Sequence, residues 1–504
     1  MNRFVYTPSS ISFSTLKNKN WILSPSIYKR LNIPNSNLKT VRDFLSQDLS
    51  NEYLGFEVGS INYIQKSTHF FLKTKALQYF SFIPQFTEDS LTPIFPQVFN
   101  DMNLKKGDLL ISKDSNIGEA VILDEDYPNV CLSGAIYKLP LSSHKYYLFA
   151  FLKHQVFREQ LDYLVPKGAT IRHAKKLFLD CFIPLPKNNS EEVISYVELL
   201  TQAIIEKEIA IKKKHSEIID LIEEEIVNNQ LDSHFSFSLP NFSELLNIGR
   251  LDCSHYSKEY KEFRHLISNY KFGFYNFSED GYKFKRGQNL QFSNIGQSIY
   301  SDNFQTGFYR LILSKHISNF SSINDFQFIG NANSLTTLKK GEIVLSARGD
   351  IGRVYISPYD IHKTITNIDS IVFYKKDSSI EHDIFNAMFL NYLRTKNIIH
   401  RFGIIGSGAP SLTKYQIDDI IIPSFPVQKQ SEIAQKYHHL KVIQDPITLE
   451  NFSRIDNDFN SNCGIFEINV SLIQMKTHLQ EVLDSICNNN DIDFSFDFYN
   501  ISGL

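Results

Sequence analysis

One nine-residue pattern occurs twice in this chain. Leu104-Lys105-Lys106-Gly107-Asp108-Leu109-Leu110-Ile111-Ser112, running on to Ile117-Gly118, returns as Leu338-Lys339-Lys340-Gly341-Glu342-Ile343-Val344-Leu345-Ser346, running on to Ile351-Gly352. The offset is 234 residues (338 minus 104), with no gap across the motif. Solenoid units repeat every 20–50 residues or so, roughly. A period this long is that of a whole domain. The 504 residues are therefore expected to hold two copies of one domain, serving a function that gains from being done twice.

The repeat extends beyond the opening motif. Residues 108–112 and 120–123 read as two strands joined by a glycine turn, and 342–346 and 353–356 repeat them. A further strand follows each hairpin, at 135–139 and 370–374, and then a helical stretch, at 145–164 and 381–402. Each copy next has a glycine loop, Gly168-Ala169-Thr170 and Gly408-Ala409-Pro410. Each closes on a proline-ended strand, Ile183-Pro184-Leu185-Pro186 and Ile422-Pro423-Ser424-Phe425-Pro426. After each proline the character changes. Residues 191–228 form a charged helical run in which Val197, Ile204, Ile211 and Ile218 fall seven apart, widened by Val193, Leu200, Ile222 and Ile226. At the helical rise it would span roughly 57 Å. The second copy's helix comes in two pieces, 427–442 and 466–488, interrupted by Pro446 and a polar stretch at about 444–465. Its second piece carries a clean heptad, with Ile468, Met475 and Val482 at one position and Leu472, Leu479 and Ile486 at the other. The pieces total about 24 plus 35 Å, which suits two helical elements lying antiparallel as a rod.

Composition narrows the class. Hydrophobic content of 42% and charged content of 21% are those of an ordinary soluble globular protein. The 41 Phe and 25 Tyr fit a host with AT-rich codons better than any functional use of aromatic residues. A formal net charge of −3 counts mildly against DNA binding unless the basic surface is local. The five cysteines, Cys131, Cys181, Cys253, Cys463 and Cys487, share no metal-type or redox-type spacing, as in a reduced cytoplasmic protein. No signal peptide is expected in residues 1–20, and no apolar run reaches the length of a membrane span.

Domain, long helix, domain, long helix resembles the specificity (S) subunit of Type I restriction–modification systems, from about Trp21 to Asn488. The resemblance rests on the two Gly-Asp/Glu hairpin motifs, the glycine loops and the proline-ended strands leading into helices. Gln428-Lys429-Gln430-Ser431-Glu432-Ile433 matches the family's Pro-x-x-x-Gln-x-x-Ile junction. Two features depart from it. The first junction, Pro186-Lys187-Asn188-Asn189-Ser190, lacks the glutamine, and the insertion splits the second helix. The resemblance implies a mixed α/β (α+β) fold in which two similar target-recognition domains are separated and flanked by long antiparallel coiled-coil helices. The expected plan is a tail (1–20), domain one (21–187), a spacer helix (188–230), a linker (231–248), domain two (249–426), a second spacer (427–490) and a tail (491–504). It implies a phage-defence role in which each domain reads one half of a bipartite, asymmetric site on double-stranded DNA. The helices would set the spacing and dock two methyltransferase subunits, with restriction subunits joining through the complex. S-adenosylmethionine, ATP and Mg2+ would belong to those partners, with no cofactor and no metal on this chain. The physics agrees, since half-sites read in successive major grooves lie about 34–36 Å apart.

Local basic runs are the candidate DNA contacts, because Lys and Arg on phosphates supply affinity and side chains on base edges supply specificity. Lys167, Arg172, His173 and Lys175 flank the first glycine loop. Lys283, Lys285, Arg286 and Gln288 lie among aromatic residues. Lys66, Lys73 and Lys75 form a third run. Lys113 and Arg348 follow the paired strands, and Ser407, Ser411 and Lys414 surround the second glycine loop. For any one of these an ordinary solvated charge is the default; taken together within such a domain, contact is favoured. Arg and Gln pair bidentately with guanine and adenine, each pair adding roughly 1–3 kcal/mol of discrimination. The heptad seam is structural, and histidines such as His438-His439 show no metal spacing.

No phosphate-binding Gly-x-x-x-x-Gly-Lys-Ser/Thr loop, methyltransferase Asn/Asp-Pro-Pro-Tyr/Phe tetrapeptide or dinucleotide loop occurs. The chain is thus expected to be non-catalytic. One alternative is the equivalent subunit of a system whose partner fuses nuclease and methyltransferase. Others, of a different class, are a metal-dependent nuclease and a coiled-coil scaffold without DNA.

Overall fold

The structure, a computed structural model, describes residues 3–87, 89–165, 173–249, 251, 253–361, 363–403 and 410–501. They fall into two compact units. The first holds the described residues up to Ile209 together with Asp445–Asn457 and Gln474–Phe498; the second holds Ala210–Gln444, Asp458–Ile473 and the described residues from Tyr499 on.

The repeated motif is a repeated sheet. In the first unit Leu109–Ser112 pairs antiparallel with Ala120–Ile122 and with Ile136–Lys138. In the second, Ile343–Ser346 pairs in the same way with Val354–Ile356 and Ser370–Tyr374. Leu109, Leu110 and Ile111, like Ile343, Val344 and Leu345, are wholly buried. A continuous apolar run, rather than an alternating one, is what a strand covered on both faces requires.

Two further sheets recur. His69–Leu72 lies between an antiparallel strand, Leu91–Ile94, and a parallel one, Val130–Leu132. Tyr309–Ile312 lies likewise between Gln327–Asn331 and Thr364–Thr366. Leu38–Thr40 pairs with Phe182–Pro184 as Phe274–Asn276 pairs with Ile421–Pro423. The second unit adds two edge strands, Lys283–Arg286 and Ser298–Ser301. The fold is thus mixed α/β, with one framework used twice.

The helical stretches differ in detail from the sequence reading. The first is two helices, Lys145–Leu152 and Gln155–Leu164. The chain leaves helical geometry at His154, whose ring accepts the Val156 N–H and so caps the second piece. The matching stretch is Ile380–Thr395 followed by Ile399–Gly403.

The long helix is continuous over Ser190–Asn228, its residues dividing between the units after Ile209. Val197, Ile204, Ile211 and Ile218 are buried, as are Val193, Leu200, Ile222 and Ile226. The closing helix, Ile465–Cys487, buries Ile468, Leu472, Met475, Leu479, Val482 and Ile486. Within the first unit the two run antiparallel. Residues at the start of one, Glu192 and Val193, line a cleft with Ile486 and Asn489 at the end of the other. Farther along, the Tyr196 hydroxyl meets His478 Nε2 at 2.8 Å and Glu208 meets Lys476 at 2.6 Å.

Two expectations about the second spacer need correction. Its first helix ends at Tyr437 rather than reaching 442, because His438 turns extended and its ring binds the buried Glu467 carboxylate at 2.6 Å. The insertion is not merely a polar interruption: it contains a helix, Phe452–Asn462. Phe452, Ile455 and Phe459, spaced three and four apart, are its buried stripe, continued by Cys463 just past its end. From this helix Asp456 reaches Lys207 of the long helix at 2.7 Å, with side-chain exposures of 2% and 0%.

A buried pair of this kind is more costly to break than to replace. Asp456→Ala is expected to destabilise the chain by about 3–5 kcal/mol, because it takes the carboxylate partner from a buried ammonium. The double variant Lys207→Met with Asp456→Leu should restore most of the loss. Denaturant melts of the purified chains check this; equal losses in the single and double variants would contradict it.

Candidate nucleic-acid interface

In both units the hairpin turns through a glycine of positive φ, +78° at Gly118 and +85° at Gly352. Neither position has room for a side chain. A Cβ would lie 2.4 Å from Leu161 at the first and 2.5 Å from Ile399 at the second. The preceding serines hold the loop from inside: Ser112 Oγ donates to Asp114 O and Ser346 Oγ to Asp350 O, each at 2.7 Å. The glycines therefore serve the turn, as their sequence context suggests.

What the turn presents is also duplicated. After the first glycine loop the chain returns beside the hairpin loop, with Asp114 bridging His173 and Ala174 N–H donating to Lys113 O at 2.8 Å. After the second it does the same, with Arg348 bridging Ser411 and Leu412 N–H donating to Ala347 O at 2.8 Å. One backbone frame thus carries Lys113, Asp114 and His173 in one copy and Arg348 and Ser411 in the other.

Charge is handled differently in the two. In the first copy Asp114 takes both neighbours, pairing with Lys113 directly and hydrogen-bonding His173 Nδ1 at 2.7 Å. Lys175 beside them is exposed and left-handed, with φ +48°. In the second copy Arg348 is 60% exposed and stands 3.6 Å from Asp369. Arg286, at the end of the edge strand, donates to Leu412 O at 3.1 Å and has no carboxylate in ion-pair reach among the described residues. The protein around its guanidinium, and next the like charge of Arg348, hold Arg286 below its ordinary pKa. Asp369 offsets part of this, and two cations beside one carboxylate keep a net positive charge that favours an anion nearby. Lys414 Nζ lies 5.9 Å from the Phe284 ring. Arg286, Arg348, Ser411 and Lys414 thus come from three chain segments to neighbouring places.

The remaining candidates lie elsewhere. Lys285 points to the opposite face of its strand and pairs with Glu342. Lys283 is exposed. Gln288 Oε1 accepts the Thr336 N–H at 3.1 Å. Lys66 is exposed, Lys73 sits 4.6 Å from the Tyr63 ring and Lys75 pairs with Asp89 at 3.0 Å, all around the His69–Leu72 strand. Lys167, Arg172 and Ser407 lie outside the described residues. Sequence reasoning missed the carboxylates. Glu342 is 57 residues from Lys285, a distance that no local scan for acid-free runs covers. Among the described residues no group of three or more His, Cys, Asp or Glu could hold a metal ion, and no helix is long and apolar enough to cross a membrane.

Residues 294–451 match the family model described as Type I restriction modification DNA specificity domain. No curated protein sequence matches the chain. Among solved structures, the S subunit of a Type-I restriction-modification system from M. genitalium aligns at 13% identity with a TM-score of 0.39, covering 92% of this chain and 99% of that one. The HsdS subunit from Thermoanaerobacter tengcongensis aligns at 10% identity with a TM-score of 0.26, over 90% and 97%. A chain from work on complex assembly and conformational transition of the type I R-M system aligns at 11% identity with a TM-score of 0.28, over 92% and 100%.

Gly352→Ala should cost the second unit about 1–3 kcal/mol through backbone strain alone, before the contact with Ile399 is counted. Thermal melting of the variant checks it; an unchanged transition would show that the turn tolerates a side chain.

Proposed function

We propose, for a chain whose residues 294–451 match the Type I restriction modification DNA specificity domain and whose whole framework resembles the specificity subunits of such systems, a non-catalytic role in reading DNA. Each copy reads one half of a bipartite, asymmetric duplex site. The observation that carries this reading is the duplicated loop pair, built on one backbone frame but bearing different side chains: Lys113 and His173 in one copy, Arg348 and Ser411 in the other. A shared frame presents its loops to the same kind of ligand. Different side chains read different bases.

Arg286 and Arg348 are the foremost base-reading or phosphate-gripping groups of the second copy, supported by Ser411 and Lys414. Lys113, His173 and Lys175 take that place in the first. The long helix and the closing helix set the distance between the two readers and dock methyltransferase subunits, through which restriction subunits join. S-adenosylmethionine, ATP and Mg2+ are used by those partners. The chain works in the cytoplasm, where its cysteines stay reduced.

Arg286→Ala is the sharpest test. Selection from a randomised duplex library, with wild type and variant side by side, should show preference relaxed at positions in one half-site only, by roughly 1–3 kcal/mol. A uniform loss of affinity across all sequences would make Arg286 a phosphate contact. Absence of any sequence preference in the wild type would remove the reading altogether.

A further inference from the structure

The chain is acidic overall, yet its residues 1–42 hold seven basic residues and no acidic one. Most of that stretch is a loop closed at its base. Val5–Tyr6 pairs antiparallel with Arg30–Leu31. Glu159 clamps the outgoing strand, accepting the backbone N–H groups of Arg3, Phe4 and Val5 at 2.8, 2.7 and 2.8 Å. Burial alone would push that carboxyl upward, but these hydrogen bonds, with one from Gln155, hold it below its ordinary value. The loop, residues 7–29, is thereby fixed at both ends. The buried Tyr28 ties it from within, donating its hydroxyl to Ile22 O at 2.5 Å.

The loop also displays aromatic rings. Trp21, the chain's single tryptophan, is 52% exposed. It packs edge-on against Phe13, itself 72% exposed, at 5.0 Å. Asn20 and Trp21 both adopt left-handed backbone, with φ +53° and +62°. For a bulky residue this is a strained state, and such strain gathers where function holds a side chain in place. Around them Lys17, Lys19, Lys29 and Arg30 make no ion pair among the described residues. Ser12, Ser14, Thr15, Asn18 and Asn20 add further polar groups.

The second copy supplies an internal control. Leu251–Tyr256 corresponds to Leu23–Tyr28 at an offset of 228 (251 minus 23), so the matching segment is 235–257, which holds two acidic residues, Glu244 and Asp252, and one basic, Arg250. The first loop, 7–29, holds three basic residues and none acidic. The uncompensated charge is therefore no requirement of the shared framework.

We infer that residues 7–29, with Arg30 at their base, form a further DNA-binding element, one that grips the phosphate backbone without reading sequence. Lys17, Lys19, Lys29 and Arg30 neutralise phosphates, the hydroxyl and amide side chains add hydrogen bonds to them, and Trp21 lies against sugar or base edges. Unpaired cations interleaved with exposed aromatic rings are the chemistry of a nucleic-acid surface. The inference rests on the proposed DNA reading, but concerns a different part of the chain from the loop pairs.

The lone tryptophan makes the test direct. The full-length chain is titrated with a short labelled duplex of arbitrary sequence; anisotropy follows binding and intrinsic emission follows Trp21. Saturating duplex should quench or shift the emission and protect Trp21 from acrylamide. The triple variant K17A/K19A/R30A, altered only at exposed residues, should fold normally. Its plot of log affinity against log salt should be shallower by about 2–3, since each phosphate contact adds roughly 0.9 to the slope. If the wild type binds duplex while Trp21 and the salt slope stay unmoved, the loop is no DNA element. If polyglutamate changes the emission as duplex does, the loop is an acidic-protein site and the inference is overturned. If the wild type binds no duplex under any salt, the DNA reading itself falls and takes this inference with it.

Discussion

A strand that must turn back through a left-handed residue, against a packed helix, leaves room for glycine alone. Gly118 and Gly352 meet that constraint in the same way, each with a neighbouring aliphatic side chain within 2.5 Å of where a Cβ would stand. The hairpin loops they close are therefore held to one shape. The chain that follows each glycine loop docks beside them through matching backbone bonds. A shared backbone bearing different side chains lets one frame present two different surfaces. Loops on a rigid sheet are where binding residues concentrate.

Electrostatics explains why an acidic protein can still serve an anionic ligand. Lys113 and His173 share Asp114, Lys285 is taken up by Glu342, and Lys75 by Asp89. Those charges are balanced inside the protein. Others, such as Arg286 and the basic group around Trp21, have no carboxylate in ion-pair reach among the described residues. Net charge conceals such local surplus, because a field near the surface depends on the nearest charges within about 10 Å at ordinary salt.

Much of the framework was legible in the residues. The buried hairpins announced themselves as apolar runs ending in glycine, and the long helix as a seam repeating every seven residues. Such signals are local, and burial enforces them. The sheet built on His69–Leu72 was not legible: its strands are three or four residues long, and Val130–Leu132 joins it in parallel from far along the chain. The insertion helix escaped because Phe452, Ile455, Phe459 and Cys463 are diluted by Asn, Asp and Ser, whose own tendency is to leave a helix. At the candidate interface, sequence could name cations but not their partners. Lys285 looked as available as Arg286, its neighbour, until the strand's alternation sent one to Glu342 and the other toward Arg348.

On the proposed function, one chain carries two related readers and lends their combined specificity to a modifying complex. Mapping methylated bases across the genome of the source cell, with and without this gene, tests it most directly. Methylation is expected on a two-part motif separated by a fixed run of unread bases, and is lost when the gene is deleted. Exchanging residues 21–187 for those of a related chain should alter one part of the motif and leave the other intact. A methylation pattern unaffected by the deletion, or a motif altered in both parts by the exchange, would contradict it.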